Sequence, residues 1–272
     1  MERLHVLGTG HAMVTHCYNT CFAIERDGDW FLVDAGGGNR ILRILDDKGI
    51  DPCRMRSLFL THLHTDHALG MVWVLRRIAE RMLAGRLDGC VDFYAHAEAA
   101  DGLQTICRMT MKRAQTDLFG GRIRFHAVSD GDEVEILGDR VRFFDIRSTK
   151  MRQFGFEMAL SDGQRLVCLG DEPCDPACEP VARGADWLLS EAFCRYEDRE
   201  RYRPYEKHHA TARDAALLAG RVGARRLVLW HGEEQTLADR PALYGAEARA
   251  VFGGEVYVPR DGDVIPLGGE SE

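Results

Sequence analysis

Short apolar runs alternate along the chain with two kinds of spacer: tight glycine–aspartate turns, and longer segments of helical periodicity. Residues 4–7 read as a first strand running into a glycine turn. Residues 21–25 and 30–33 flank "RDGD", a hairpin signal. Ile41, Leu42, Ile44 and Leu45 share one face of a helix over 39–47, stopped by Gly49. A buried strand at 57–60, an amphipathic helix at 67–83, a strand at 91–94 and a long helix at 97–114 follow. A strand-rich block comes next, at 122–127, 133–137, 141–146, 154–160 and 165–169, joined by "SDGDE", "GD" and "SDGQ" turns. Alternation then resumes, with strands at 187–190, 227–230 and 256–258 and helices at 211–222 and 240–251. The pattern repeats, strands first and α/β units second, so it describes two similar halves. Each half gives a sheet with helices outside it. Two such sheets stacked face to face form a four-layer αββα sandwich of the α/β (α+β) class, expected as a single domain over residues 1–272.

Composition narrows the class. The chain has 272 residues, 45% of them hydrophobic, enough for a sizeable core. It has no apolar run of the roughly 18 residues a membrane span needs. The opening "MERLHVLGTG" lacks the basic and apolar regions of a secretion signal, so a cytoplasmic protein with reduced thiols is expected from its nine cysteines. Cys174 and Cys178, in "CDPAC", are too widely spaced for a redox pair, and no second pair accompanies them. The net charge of −8, from 35 basic and 43 acidic residues, disfavours non-specific nucleic-acid binding.

The candidate chemistry sits where apolar strands stop. "WFLV" is followed by Asp34, "LFLT" by His62, "LVCLG" by Asp171, "WLLS" by Glu191 and "LVLW" by His231. In α/β sheets, sites form outside the carboxyl ends of strands. The segment "THLHTDHALG", residues 61–70, is the densest cluster: His62, His64, Asp66 and His67 in the pattern H-x-H-x-D-H. Residues two apart share a face of an extended segment, so His62 and His64 can point together, and Asp66 and His67 can address a second centre. Imidazole nitrogen with carboxylate oxygen suits Zn²⁺, with Mn or Fe as alternatives. "DAGGG" lacks the Lys-Ser/Thr of a phosphate loop and reads as a turn beside this cluster. His96 and His126 are expected at strand ends or on the surface.

"THLHTDH", with Asp171 in "LGDE" and His231 in "LWHG", resembles the metallo-β-lactamase superfamily. "LGTG", "VDAGGG", Glu191 in "SEAF" and His209 in "HHATARDAA" resemble its ribonuclease Z-like branch in particular. The resemblance implies one or two divalent metal ions, Zn foremost. It places His62 and His64 on the first ion, Asp66, His67 and His231 on the second, and Asp171 between them. Asp34 would orient the histidine loop. Asp66 would hold a metal-bound hydroxide in line, and Glu191 would support His209 as the acid for the leaving oxygen. These expectations define a metal-dependent phosphodiesterase. A hydrolase of a small carbonyl substrate (ester, lactone or thioester) and a non-catalytic metal-binding protein are the alternatives. The chain departs from the family at Thr149, where a further first-site histidine is expected; His11, His16 or His208 are the candidate substitutes. The long arm that clamps transfer RNA in such enzymes is replaced by a short hairpin at 156–170. A small-molecule or nucleotide-like substrate is therefore expected, tRNA is doubtful, and a homodimer is the implied assembly.

Overall fold

In the computed structural model, which describes residues 2–268, fourteen strands form two seven-stranded sheets. The first half contains β1 (Arg3–Gly8), β2 (Cys21–Arg26), β3 (Asp29–Val33), α1 (Arg40–Asp47), β4 (Met55–Phe59), α2 (Thr65–Leu83), β5 (Val91–Ala95), α3 (Ala97–Thr110), α4 (Arg113–Thr116) and β6 (Ile123–Ala127). The second contains β7 (Glu133–Ile136), β8 (Asp139–Asp145), β9 (Phe154–Ala159), β10 (Arg165–Cys168), α5 (Glu179–Ala182), β11 (Trp187–Glu191), α6 (Arg199–Tyr202), α7 (Ala212–Val222), β12 (Arg226–Trp230), α8 (Arg240–Arg249) and β13 (Glu255–Tyr257). A last strand, β14 (Val264–Pro266), returns to the first sheet and pairs with β1.

The sheet orders are β14-β1-β2-β3-β4-β5-β6 and β13-β12-β11-β10-β9-β8-β7. Each half opens with antiparallel pairings and passes to parallel ones, at β3/β4 in the first and β10/β11 in the second. This shared switch is the physical content of the repeat seen in the sequence. Three layers of apolar side chains separate the four layers of structure. Leu4, Phe22, Phe31 and Phe59 of the first sheet meet Phe143, Phe156, Leu166 and Trp230 of the second. Met71, Leu75 and Leu103 cover the outer face of one sheet, and Ala216, Ala219 and Tyr244 that of the other. Phe156 is the hub between the sheets, its ring 5.6 Å from that of Phe31, 5.8 Å from Phe59 and 6.4 Å from Phe22. Burying such a ring stabilises by about 1.5–3 kcal/mol.

Several boundaries differ from the sequence pattern. Helix α2 starts at Thr65 rather than 67, because His64 is extended and its carbonyl takes the N–H of Ala68 at 2.9 Å. Helix α3 stops at Thr110 rather than 114. Met111 is extended, and Gln115 caps the Lys112 N–H at 3.0 Å to start a separate turn. Among the described residues, no helix is long and apolar enough to cross a membrane.

Candidate metal centre

The strand-end residues converge at one end of the sandwich, as the apolar-to-polar transitions imply. Asp34 and His231 directly follow β3 and β12, both with left-handed backbone (φ 54° and 59°). Such φ values cost a non-glycine residue of order 1–3 kcal/mol and cluster at functional sites. Glu191 closes β11 itself. His62 lies just beyond β4, and Asp171 just beyond β10. Asp66 and His67 sit in the first turn of α2. That helix docks closely on the turn after Asp34: the Gly70 N–H donates to the Gly36 carbonyl at 2.7 Å, and the Ala35 N–H to the His67 carbonyl at 3.1 Å.

Asp34 is the organiser of the histidine loop. One oxygen accepts the Thr61 backbone N–H at 2.9 Å; the other accepts the Thr61 hydroxyl at 2.8 Å and His67 Nδ1 at 2.7 Å. With Nδ1–H committed to this carboxylate, Nε2 is the atom of His67 left to offer a lone pair to an ion. That atom is buried and has no hydrogen-bond partner. It lies 3.3 Å from Asp66 Oδ2 and 3.5 Å from Asp171 Oδ2. Asp171 Oδ2 is also 3.5 Å from His231 Nε2 and 3.8 Å from His62 Nε2. His62 Nε2 is 2.7 Å from His64 Nδ1. Two buried donor groups result, His62–His67–Asp171 and Asp66–His67–His231.

The electrostatics fit cations. Burial would raise the Asp171 carboxyl, but His62, His67 and His231 hold it well below the usual range. Burial likewise opposes the ionised Asp66, yet His67 beside it keeps its pKa low. Burial pushes His231 down to about 3 and His62 well below its ordinary value. Ionised Asp66 and Asp171 thus face neutral His62 and His231, whereas the burial of His67 is overcome by Asp66 and Asp34, which raise its pKa well above its ordinary value. Buried carboxylates that draw a proton onto His67, within a set of N and O donors, mark a place where a divalent ion can take that proton's role.

His209 stands beside these groups. Its ring stacks on Phe193 (4.9 Å, 7°) and is 5.4 Å from that of His231. Nδ1 is 3.4 Å from Glu191 Oε2, and the other Glu191 oxygen accepts the Ala210 N–H. Burial works against the imidazolium, but Glu191 prevails and raises the His209 pKa. Asp66, Asp171, His64, His209 and His231 line one cleft of about 450 Å³ with His11, Leu63, Lys150 and Met151.

The residues around this cleft divide unevenly. His11 lines it, its ring 4.8 Å from that of Phe193, whereas His16 is exposed and lines a different cavity with Arg40 and Asp261. Thr149 is exposed; its hydroxyl is 3.0 Å from Nδ1 of the exposed His208, and neither belongs to the donor groups. His126 is on the surface, bonded to Asp92 at 2.6 Å. His96 directly follows β5 and is buried against Phe154, at a strand end rather than on the surface. Gln153 and Arg240 carry no signal in the sequence, yet both are buried among these loops. The Arg240 guanidinium donates to the Thr9 carbonyl at 3.3 Å and to that of Glu233, tying the first loop to the one that follows His231.

With this arrangement established, comparison with known proteins gives the family. A profile described as a beta-lactamase superfamily domain matches residues 29–232. The chain belongs to the metallo-β-lactamase superfamily and is a metal-dependent hydrolase of its ribonuclease Z-like kind. A ribonuclease Z from Myxococcus xanthus is 28% identical over 97% of both chains. Two solved structures share the fold. The metallo-beta-lactamase fold protein YhfI from Bacillus subtilis has a TM-score of 0.79 at 19% identity, covering 97% of this chain and 98% of that one. The short form of human tRNase Z has a TM-score of 0.74 at 19% identity, covering 98% and 99%.

Proposed function

We propose that the chain is a phosphodiesterase that works with one or two divalent ions. His62, His64 and Asp171 hold the first, and Asp66, His67, His231 and Asp171 hold the second. Zn²⁺ suits these donors, and Mn or Fe ions share the preference. Bound there, such ions supply an acidified water and positive charge for the phosphoryl oxygens. The chain's own residues do the rest. Asp34 fixes the tautomer of His67, and Asp66 faces the reacting position as the proton acceptor. His209, held by Glu191, gives a proton to the departing oxygen. The observation carrying this reading is the Glu191–His209 pair at 3.4 Å beside the donor groups. An alkoxide leaving group needs an acid, whereas hydrolysis of an activated carbonyl does not.

The substrate is a small or nucleotide-like phosphodiester. The cleft of about 450 Å³ fits a group of that size. The β9–β10 hairpin is short, with its turn at residues 160–164, and the net charge is −8. Because relatives are named ribonuclease Z, a tRNA precursor belongs in the test. The protein loaded with Zn²⁺ or Mn²⁺ is assayed on alkyl and nitrophenyl phosphodiesters, a phosphomonoester, a tRNA precursor, a lactone and a thioester. Diester hydrolysis is expected, and His209→Ala should lower it about 10²–10⁴-fold on the alkyl leaving group. Carbonyl turnover indifferent to His209→Ala would replace this reading with a carbonyl hydrolase. Bound metal without turnover would mark a binding protein.

A further inference from the structure

The donors described above come from two separate sheets. His62, His64, Asp66 and His67 follow β4, whereas Asp171 and His231 follow β10 and β12. A centre assembled across such a seam needs the two sets registered to a fraction of an ångström. Asp34 does this only within the first sheet, since all its partners belong to the histidine loop and α2.

We propose that Gln153 is the positioning residue that registers the two halves of the metal centre. It lies immediately before β9 and is 1% exposed. Its amide clamps Asp171 at two points: Oε1 accepts the Asp171 backbone N–H at 3.2 Å, and Nε2 donates to Asp171 Oδ1. The same Nε2 lies 2.7 Å from Nδ1 of His62 on the other sheet. The backbone there is anchored to both sides as well. The Phe154 N–H donates to the Thr61 carbonyl at 3.0 Å, and the Gln153 carbonyl accepts from Ile146 at 3.1 Å. The clamp has a consequence for Asp171. With Oδ1 held by Gln153, Oδ2 is the oxygen that faces His62, His67 and His231. Space has been kept for this amide. Gly170 has φ 80°, and a Cβ there would stand 2.6 Å from Gln153 Oε1.

This inference rests on the metal-centre reading above. Removing a group that orients a metal ligand typically weakens binding 10–100-fold. The test is a cobalt(II) titration of the metal-free full chain, read by visible absorption and by bound metal per chain. Gln153→Leu and Gln153→Met remove the amide at similar volume and are run in parallel, so either can carry the test if the other does not fold. Met158→Ala, a core variant between the sheets, serves as the control for lost stability. The Gln153 variants are expected to bind cobalt 10–100-fold more weakly with displaced absorption bands, while Met158→Ala binds as wild type. Gln153 variants whose titration and spectrum superimpose on wild type overturn the proposal. Absence of cobalt uptake by the wild-type chain overturns the metal-centre reading, and this inference with it.

Discussion

Gly70 is the sharpest single probe of how the fold positions the site. It lies inside helix α2, where replacing glycine by alanine ordinarily stabilises by about 0.8–1 kcal/mol. Here the sign reverses. A Cβ on Gly70 would stand 1.8 Å from the Ala35 carbonyl oxygen and 2.8 Å from that of Gly36, both backbone atoms. Comfortable non-bonded separations are about 3.5 Å, so helix and turn must part by about 1.7 Å. The Gly70–Gly36 hydrogen bond of 2.7 Å is lost in the process, about 1 kcal/mol more. Overpacking of this kind costs about 1–3 kcal/mol. The net loss is therefore about 2 kcal/mol, or a fall in Tm of about 4–8 °C in a protein of this size. Gly220 is the control: it is an exposed position within α7, and nothing lies within 4 Å of its Cβ direction. Gly220→Ala should raise Tm where Gly70→Ala lowers it. Thermal unfolding of the metal-free proteins measures both. Because α2 carries Asp66 and His67, Gly70→Ala should also lose metal affinity, read by equilibrium dialysis. A Gly70→Ala protein as stable as wild type would refute the close docking of this helix on the Asp34 turn.

Other substitutions test other layers. Asp34→Asn should weaken metal binding about 10–100-fold, measured against a chelator of known affinity, because an amide cannot accept all three donors that the carboxylate serves. Phe156→Ala should cost about 3–5 kcal/mol in denaturant unfolding, since its ring meets three others between the sheets. Asp139 provides a pH test. Burial, and then Glu2, push its carboxyl up to about 6, so the stability tied to its protonated form is present below about pH 4 and lost as pH rises through 6. Asp139→Asn should therefore gain on the wild type between pH 4 and 7 in metal-free unfolding curves, and parallel curves would contradict the shift.

What the sequence discloses depends on range. His62, His64, Asp66 and His67 are legible because their geometry is local: an extended turn followed by one helical turn. Asp34, Asp171, Glu191 and His231 are legible because a buried strand must be apolar, and each breaks that pattern at its end. Gln153 is silent, because its partners lie 18 and 91 positions away and a lone glutamine before a strand is ordinary. Arg240 is silent for the same reason, with Thr9 231 positions distant. β14 escaped because three residues including a proline carry no strand periodicity. The early end of α3 escaped because the Gln115 cap outweighs the helix propensity of its neighbours.

The pairing of β14 with β1 bears on how the chain is made. Leu4 faces Ile265 across this pair, so the first sheet is sealed only when a segment some 260 residues downstream arrives. During synthesis the strands up to β6 emerge first, and the apolar face formed by Leu4, Phe22, Phe31 and Phe59 has no covering layer until the second sheet follows. A nascent chain in that state exposes both an open strand edge and an oily surface, the conditions under which chaperones are recruited. Slow stretches of translation before β7 would prolong that exposure, and rapid delivery of the second half would shorten it.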